Sequence, residues 1–244
     1  MDRLRTGRFV GQLVPSSNRT VERTTEVLLR GYPGVASCYS RIAYRPDGSG
    51  QPEGGYDLPA VLAAAEMLSH AEVEAICWNG TKGAIDGFQV DRDLCAAAGE
   101  RFGIPVTSVS LDVLEILKRL DARRIALISQ GAVARAVFIG ERFATQGFST
   151  TAVRGLGVGS NLDAAKVTPA TLDEAVRGCV ADGAPDAVLI WGTNMPGLPV
   201  VAPLEAELGV TVIDSCSVGI WGLLRALGLT GAPLLPQGRI FGLL

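Results

Sequence analysis

Ala75-Ile76-Cys77-Trp78, closed by Asn79-Gly80-Thr81, and Val188-Leu189-Ile190-Trp191, closed by Gly192-Thr193-Asn194, end two short apolar runs in the same way. Four or five apolar residues stopped by Asn, Gly and Thr read as strands covered on both faces, each with a tight turn at its C-terminal end. Working outward, the first half reads as strands over 8–14, 35–44, 73–77 and 105–109 and helices over 21–29, 58–68, 91–102 and 111–120. The second half repeats that order, with strands over 124–129, 151–155, 187–191 and 210–214 and helices over 133–145, 171–181, 200–208 and 218–227. Short buried strands alternating with helices indicate βαβ units and parallel sheets. The halves can be laid over one another: Gly103-Ile104-Pro105-Val106 on Gly209-Val210-Thr211-Val212, and Leu114, Leu117 and Arg119 on Ile220, Leu223 and Arg225. Aligning the two runs end on end places Ala75-Ile76-Cys77-Trp78 on Val188-Leu189-Ile190-Trp191. The expected fold is α/β: two pseudo-duplicated parallel-sheet lobes, residues 1–118 and 119–244, with a C-terminal helix free to cross the boundary. Their strand ends would share one cleft, where helix N-termini offer free N–H groups.

At 244 residues, with 48% apolar and 19% charged side chains, the chain can bury its core without a staple. A net charge of −3 and the absence of any Lys/Arg block argue against a nucleic-acid partner. No stretch has the length and flanks of a signal peptide or membrane span, so a cytoplasmic location away from membranes is expected. The five cysteines are widely spaced with no Cys-x-x-Cys, and the one histidine, His70, stands at a helix end. Neither a disulfide framework nor a metal site follows, and no cofactor is expected. The patterned faces are compatible with a homo-oligomer.

Chemistry must therefore come from the strand ends. Cys77 stands next to a turn whose N–H groups would lower a thiol pKa and hold an anion; its plain structural reading is a small core residue. Cys216, after Asp214-Ser215, takes the place that Ser110 has in the first half and is either a packed residue or a second thiol lining the cleft. Cys38, Cys95 and Cys179 sit among apolar neighbours and read as core. Pro15-Ser16-Ser17-Asn18 is either a helix cap or part of the site, and Asn161, after Gly157 and Gly159, is either a loop residue or a ligand to substrate. Asn79, Gly80, Thr81, Gly192, Thr193 and Asn194 form the two facing turns. Trp78 and Trp191 either line the cleft, admitting a bulky acid, or pack beneath the loops.

Taken together these segments resemble a known group. Val14-Pro15-Ser16-Ser17-Asn18-Arg19-Thr20 is similar to the opening motif of maleate cis-trans isomerases, in the aspartate/glutamate racemase superfamily. Cys77-Trp78-Asn79-Gly80-Thr81, Gly155-Leu156-Gly157 to Asn161, and Gly192-Thr193-Asn194-Met195-Pro196 resemble the same enzymes. The tail Gly238-Arg239-Ile240-Phe241 is similar to that of arylmalonate decarboxylases. The resemblance implies two facing cysteines, one per lobe, in racemases and isomerases, and only the second in the decarboxylases. It assigns the first cysteine to Cys77 and carboxylate binding to Asn18 and Asn161. Two positions depart from it: Gly192 stands where the second cysteine would be, and Gly131 where the superfamily has a substrate-binding tyrosine.

One thiol cannot serve both faces of a planar intermediate, so racemisation is disfavoured unless Cys216 replaces the missing group. A thiolate adding to a double bond permits rotation, which makes Cys77 the expected nucleophile of a maleate-type isomerase, the second proton coming from solvent or another donor. A cofactor-free malonate-type decarboxylase, with Cys77 protonating an enediolate, is the alternative. A non-catalytic carboxylate-binding protein on the same fold is the third. All three take a small carboxylate as partner.

Overall fold

The computed structural model describes residues 7–244; the charged start, 1–6, lies outside that range. The first four strands, β1 (Arg8–Pro15), β2 (Val35–Ile42), β3 (Ile76–Trp78) and β4 (Val106–Ser108), form a parallel sheet in the order β2-β1-β3-β4. The next four, β5 (Arg124–Ser129), β6 (Ser149–Gly155), β7 (Ala187–Trp191) and β8 (Thr211–Asp214), repeat it as β6-β5-β7-β8. Ten helices connect them: α1 (Val21–Leu29), α2 (Leu58–Ser69), α3 (Gly83–Asp86), α4 (Gln89–Phe102), α5 (Val109–Arg119), α6 (Val133–Ala144), α7 (Asn161–Ala164), α8 (Pro169–Gly183), α9 (Leu198–Leu208) and α10 (Ser215–Ala226). The expected α/β class and the repeated strand order are present. The helix starts have chemical causes: Asp57, Ser108, Thr168 and Asp214 each accept a backbone N–H as N-caps, and Pro59 and Pro169 occupy first-turn positions of α2 and α8.

One hydrophobic core spans both sheets. It takes Val10, Ala75 and Cys77 from the first, Ile125, Leu127, Leu189 and Ile213 from the second, and the apolar faces of α5 and α10 between them. Helix α10 packs on α5 and on β3 and β4. A Cβ built on its Gly219 would meet the Asn79 side chain and lie 3.5 Å from the Cys77 sulfur, so close approach to the first sheet requires glycine there. The outer faces of the sheets carry separate cores, one around Leu13, Ile76 and Trp78 under α2 and α4, the other around Ala126, Val188 and Ile190 under α8 and α9.

The strand register corrects the end-on-end alignment of the two apolar runs. Trp78 lies beside Leu13 and Ser108, and Ile190 beside Ile128 and Asp214; Ser108 and Asp214 are the caps of the equivalent helices α5 and α10. Trp78 is thus equivalent to Ile190, one residue from the expected match. Asn79 then falls on Trp191, Gly80 on Gly192 and Thr81 on Thr193. The first-lobe counterpart of Gly192 is Gly80, and Cys77 is a mid-strand residue. The equivalence of Cys216 with Ser110 holds under the same register.

Candidate active site

A small cavity of about 60 Å³ opens between the C-terminal ends of the two sheets. Its walls include Pro15, Trp78, Gly80, Thr81, Asn161, Trp191, Gly192 and Thr193, all singled out from the sequence. Tyr44, Lys82, Ile85, Ser129, Gln130, Arg135 and Ile139 complete it and were not foreseen. Ser129 ends β5, Ile85 lies on the short α3, Arg135 and Ile139 lie on α6, and Tyr44, Lys82 and Gln130 lie on connections, none of which carries a local signal that marks a cleft residue. The two glycine–threonine turns, Gly80-Thr81 and Gly192-Thr193, form equivalent parts of the wall. The backbone N–H groups of Gly80, Thr81 and Thr193 have no acceptor among the described residues, which suits an anion. Arg135 adds a positive charge without an ion-pair partner among the described residues. Lys82 is less available, since its ammonium donates to Pro52 O (2.8 Å), Gly55 O (2.7 Å) and the Asp86 carboxylate.

Both tryptophans line the cavity while being almost wholly buried, so the two expected roles coincide. Trp78 packs edge-on to Tyr56 with ring centroids 5.4 Å apart, and Trp191 packs edge-on to Phe143 at 5.0 Å. A Cβ built on Gly80 would clash with the Trp78 indole, so no side chain fits at that position while the ring stays. Gly192 is glycine for a different reason: its φ of +145° lies where L-residues are rare, although the nearest atom to a built Cβ, Met195 Cε, is 3.3 Å away.

Cys77 is fully buried and is not part of the wall. Its sulfur belongs to the central core beneath α10, and burial, with Asp112 and Cys95 nearby, pushes its pKa well above that of an ordinary thiol. The expected lowering by turn N–H groups is absent, because the thiol points into the α10 packing. Cys216 is also fully buried; it donates to Thr193 O at 2.9 Å, and burial raises its pKa too. Cys38 and Cys95 are half-buried and Cys179 is buried, with burial raising Cys179 to about 11.

The remaining predicted residues clasp the lobes together. Asn18, 2% exposed, donates to Thr193 O (2.8 Å) and Thr193 Oγ1 (3.2 Å), while its own oxygen accepts from the N–H groups of Thr20 and Val21 at the start of α1. Asn194 accepts from Arg19 N–H at 2.8 Å and from Thr20 Oγ1 at 3.1 Å, and donates to Asn161 O. Asn161 Nδ2 donates to Ser17 Oγ at 2.8 Å. Thr193 Oγ1 donates to Asn79 O at 2.9 Å, and Asn79 Nδ2 donates to Gln12 Oε1 at 3.1 Å. Ser16 Oγ receives the Tyr44 N–H at 2.9 Å, tying the opening motif to the end of β2. Asn161 therefore meets the cavity, whereas Ser16, Asn18, Asn79, Asn194 and Cys216 brace its walls from behind.

The family model described as arylmalonate decarboxylase matches residues 36–241. The chain belongs to this family. An arylmalonate decarboxylase from Bordetella bronchiseptica is 30% identical over 241 residues, covering 95% of each chain. A maleate isomerase from Nocardia farcinica is 26% identical over 230 residues, covering 91% of each. A solved structure of a Nocardia farcinica maleate cis-trans isomerase, a cysteine-to-serine mutant with a covalently bound succinylcysteine intermediate, has a TM-score of 0.80 at 26% identity and covers 96% of this chain and 98% of that one. The branch of the superfamily expected from the motifs is the one these relatives occupy, and they are isomerases and decarboxylases. Among the described residues no helix is long and apolar enough to cross a membrane.

Proposed function

We propose that this chain is a cofactor-independent enzyme of the maleate isomerase and arylmalonate decarboxylase type, acting in the cytoplasm on a small carboxylate held between Gly80 and Gly192. The observation that carries the reading is the pair of equivalent Gly–Thr turns, which present unpaired N–H groups on one cavity beside Arg135. Such an arrangement stabilises a carboxylate and, more strongly, the enediolate that forms when charge moves onto it. Decarboxylation fits the geometry best. It needs that anion site, an outlet for carbon dioxide and one proton donor, and none of these has to be a thiol.

Isomerisation is the second reading, favoured by the isomerase-like segment around Asn18 and by the Nocardia farcinica relative. It requires a thiolate at the substrate double bond. Cys77 would reach it only if the Asn79–Thr81 turn and the Gly219 contact opened. The test is to supply methyl(phenyl)malonate and maleate separately to the wild type and to Cys77→Ser. Carbon dioxide release that survives in the variant within about threefold is the expected result. Fumarate formation abolished by Cys77→Ser, with no carbon dioxide from the malonate, would establish the isomerase reading instead.

A further inference from the structure

A decarboxylation in this cavity leaves a carbanion-like enediolate that must receive a proton on carbon, and the wall offers few groups able to give one. Serine and threonine hydroxyls and the indoles are far too weakly acidic, and a guanidinium is a poor general acid. Lys82 spends all three of its N–H bonds on Pro52 O, Gly55 O and Asp86. Cys77 and Cys216 lie outside the wall, buried in packing. One group with a transferable proton remains, the phenol of Tyr44.

The geometry points to Tyr44 as the catalytic proton donor of this site. The inference rests on the decarboxylase reading above. The backbone of Tyr44 is firmly held: its N–H donates to Ser16 Oγ at 2.9 Å, and its carbonyl accepts from Ser16 Oγ at 3.0 Å and Ser17 N at 3.2 Å. Tyr44 lines the cavity from the first lobe, its hydroxyl 3.9 Å from where a Cβ on Gly48 would sit, and Arg135 lines it from the second. The charged groups facing the phenol are Arg135 on α6, which favours the phenolate, and Asp86 on α3, which opposes it and is itself paired with Lys82. Burial is the largest influence and holds the phenol protonated at neutral pH.

In the proposed step the bond from the α-carbon to one carboxylate breaks and carbon dioxide leaves. The electron pair passes to the α-carbon and is shared with the remaining carboxylate as an enediolate, held by the N–H groups of the two turns. The Tyr44 O–H bond breaks as the new C–H bond forms, and the phenolate, transiently next to Arg135, is reprotonated by water. A single donor on one side of the cavity would deliver the proton to one face only, giving one enantiomer from a prochiral malonate.

The experiment compares wild type, Tyr44→Phe and Cys77→Ser on methyl(phenyl)malonate, with kcat and KM measured from pH 6 to 10 and folding followed by circular dichroism. Tyr44→Phe keeps the ring and its packing. The expected result is a fall in kcat of at least about 100-fold with KM changed by less than about threefold, and loss of the alkaline limb of the wild-type profile in the residual activity. Cys77→Ser should stay close to wild type. Decarboxylation retained by Tyr44→Phe within about threefold would overturn Tyr44 and leave the proposed function standing. A large loss in Cys77→Ser with Tyr44→Phe active would move the proton to the thiol. A wild type that isomerises maleate, or turns over neither acid, would overturn both the decarboxylase reading and the role of Tyr44.

Discussion

The two glycines of the cavity wall occupy equivalent positions but are held to glycine by different forces. At Gly80 the backbone is ordinary and the space is full: the Trp78 indole lies where a Cβ would go. At Gly192 the space is nearly open and the backbone is restrictive, with φ at +145°. The duplicated fold has thus been emptied of side chains at its centre twice, once by packing and once by chain conformation. The largest effect of a single change is expected at the first of these positions. Gly80→Ala should lose about 3 kcal/mol in chemical denaturation, because a buried ring or the turn must move. Gly192→Ala should lose about 1–2 kcal/mol, from backbone strain alone. Adding Trp78→Leu should recover part of the Gly80→Ala loss as a favourable coupling of at least about 1 kcal/mol, and should leave Gly192→Ala unaffected. Equal losses at the two glycines, or no coupling with Trp78, would break the distinction.

The same pair of turns shows what was legible in the sequence. Strand and helix order could be read because apolar runs, Gly and Pro breaks and capping residues are local signals, and α1, β5 and β7 begin and end where they were expected. Register could not. A strand covered on both faces is an uninterrupted apolar run, and such a run does not say which residue faces which side. Ile76-Cys77-Trp78 and Ala187–Trp191 are runs of this kind, so aligning their visible ends slipped the match by one residue. Ending the strand at residue 77 made Cys77 look like a strand-end thiol, whereas β3 runs on to Trp78 and the sulfur lies 3.5 Å from a Cβ built on Gly219 of α10. Only the caps Ser108 and Asp214, brought beside the strands by the fold, reveal the true equivalence. Tyr44 and Arg135 were missed because they come from opposite lobes and meet only in three dimensions.

The lobes are also joined asymmetrically, and the two asparagines that the sequence paired as carboxylate ligands differ in burial. Asn18 is enclosed and makes every hydrogen bond that its amide can orient towards Thr193 and the start of α1. Asn161 is half-buried, reaches the cavity and spends one N–H on Ser17. Asn18→Ala should therefore lose about 2 kcal/mol of stability, since it strands buried partners on both lobes. Asn161→Ala should lose less than about 1 kcal/mol and act mainly by raising KM. The opposite pattern, with Asn18→Ala stable but unable to bind substrate, would return Asn18 to the site.

The smallest effect separates the two capping regions by their buried carboxylates. Asp112, in the first turn of α5, and Asp214, the cap of α10, are both pushed up to about 6 by burial. Asp112 has a cation, the Arg225 guanidinium at 2.9 Å, whereas Asp214 has none and is held by the Ser217 N–H and hydroxyl, with the Cys216 and Gly197 N–H groups also favouring its charge. A carboxyl whose folded pKa lies above its unfolded value of about 4 keeps its proton longer in the folded state. Its contribution to stability is then greatest below pH 4 and falls as the pH rises towards 6, because unfolding releases a proton across that window. Carboxylates paired at the surface, Glu74 with Arg8 and Asp186 with Arg124, work in the opposite sense and weaken the protein only when they are protonated at lower pH. Asp214→Asn removes the titrating group, keeps an acceptor for the Ser217 N–H and leaves Arg225 untouched. The variant should lose less stability than wild type between pH 5 and 7, by about 1 kcal/mol after allowance for relaxation around the buried group. Asp112→Asn should also flatten the slope, but it gives up the Arg225 ion pair and is expected to be the less stable variant at pH 7. If Asp214→Asn follows the wild-type pH dependence, the carboxylate is ionised in the folded protein well below pH 6, and the Ser217 hydrogen bonds outweigh its burial.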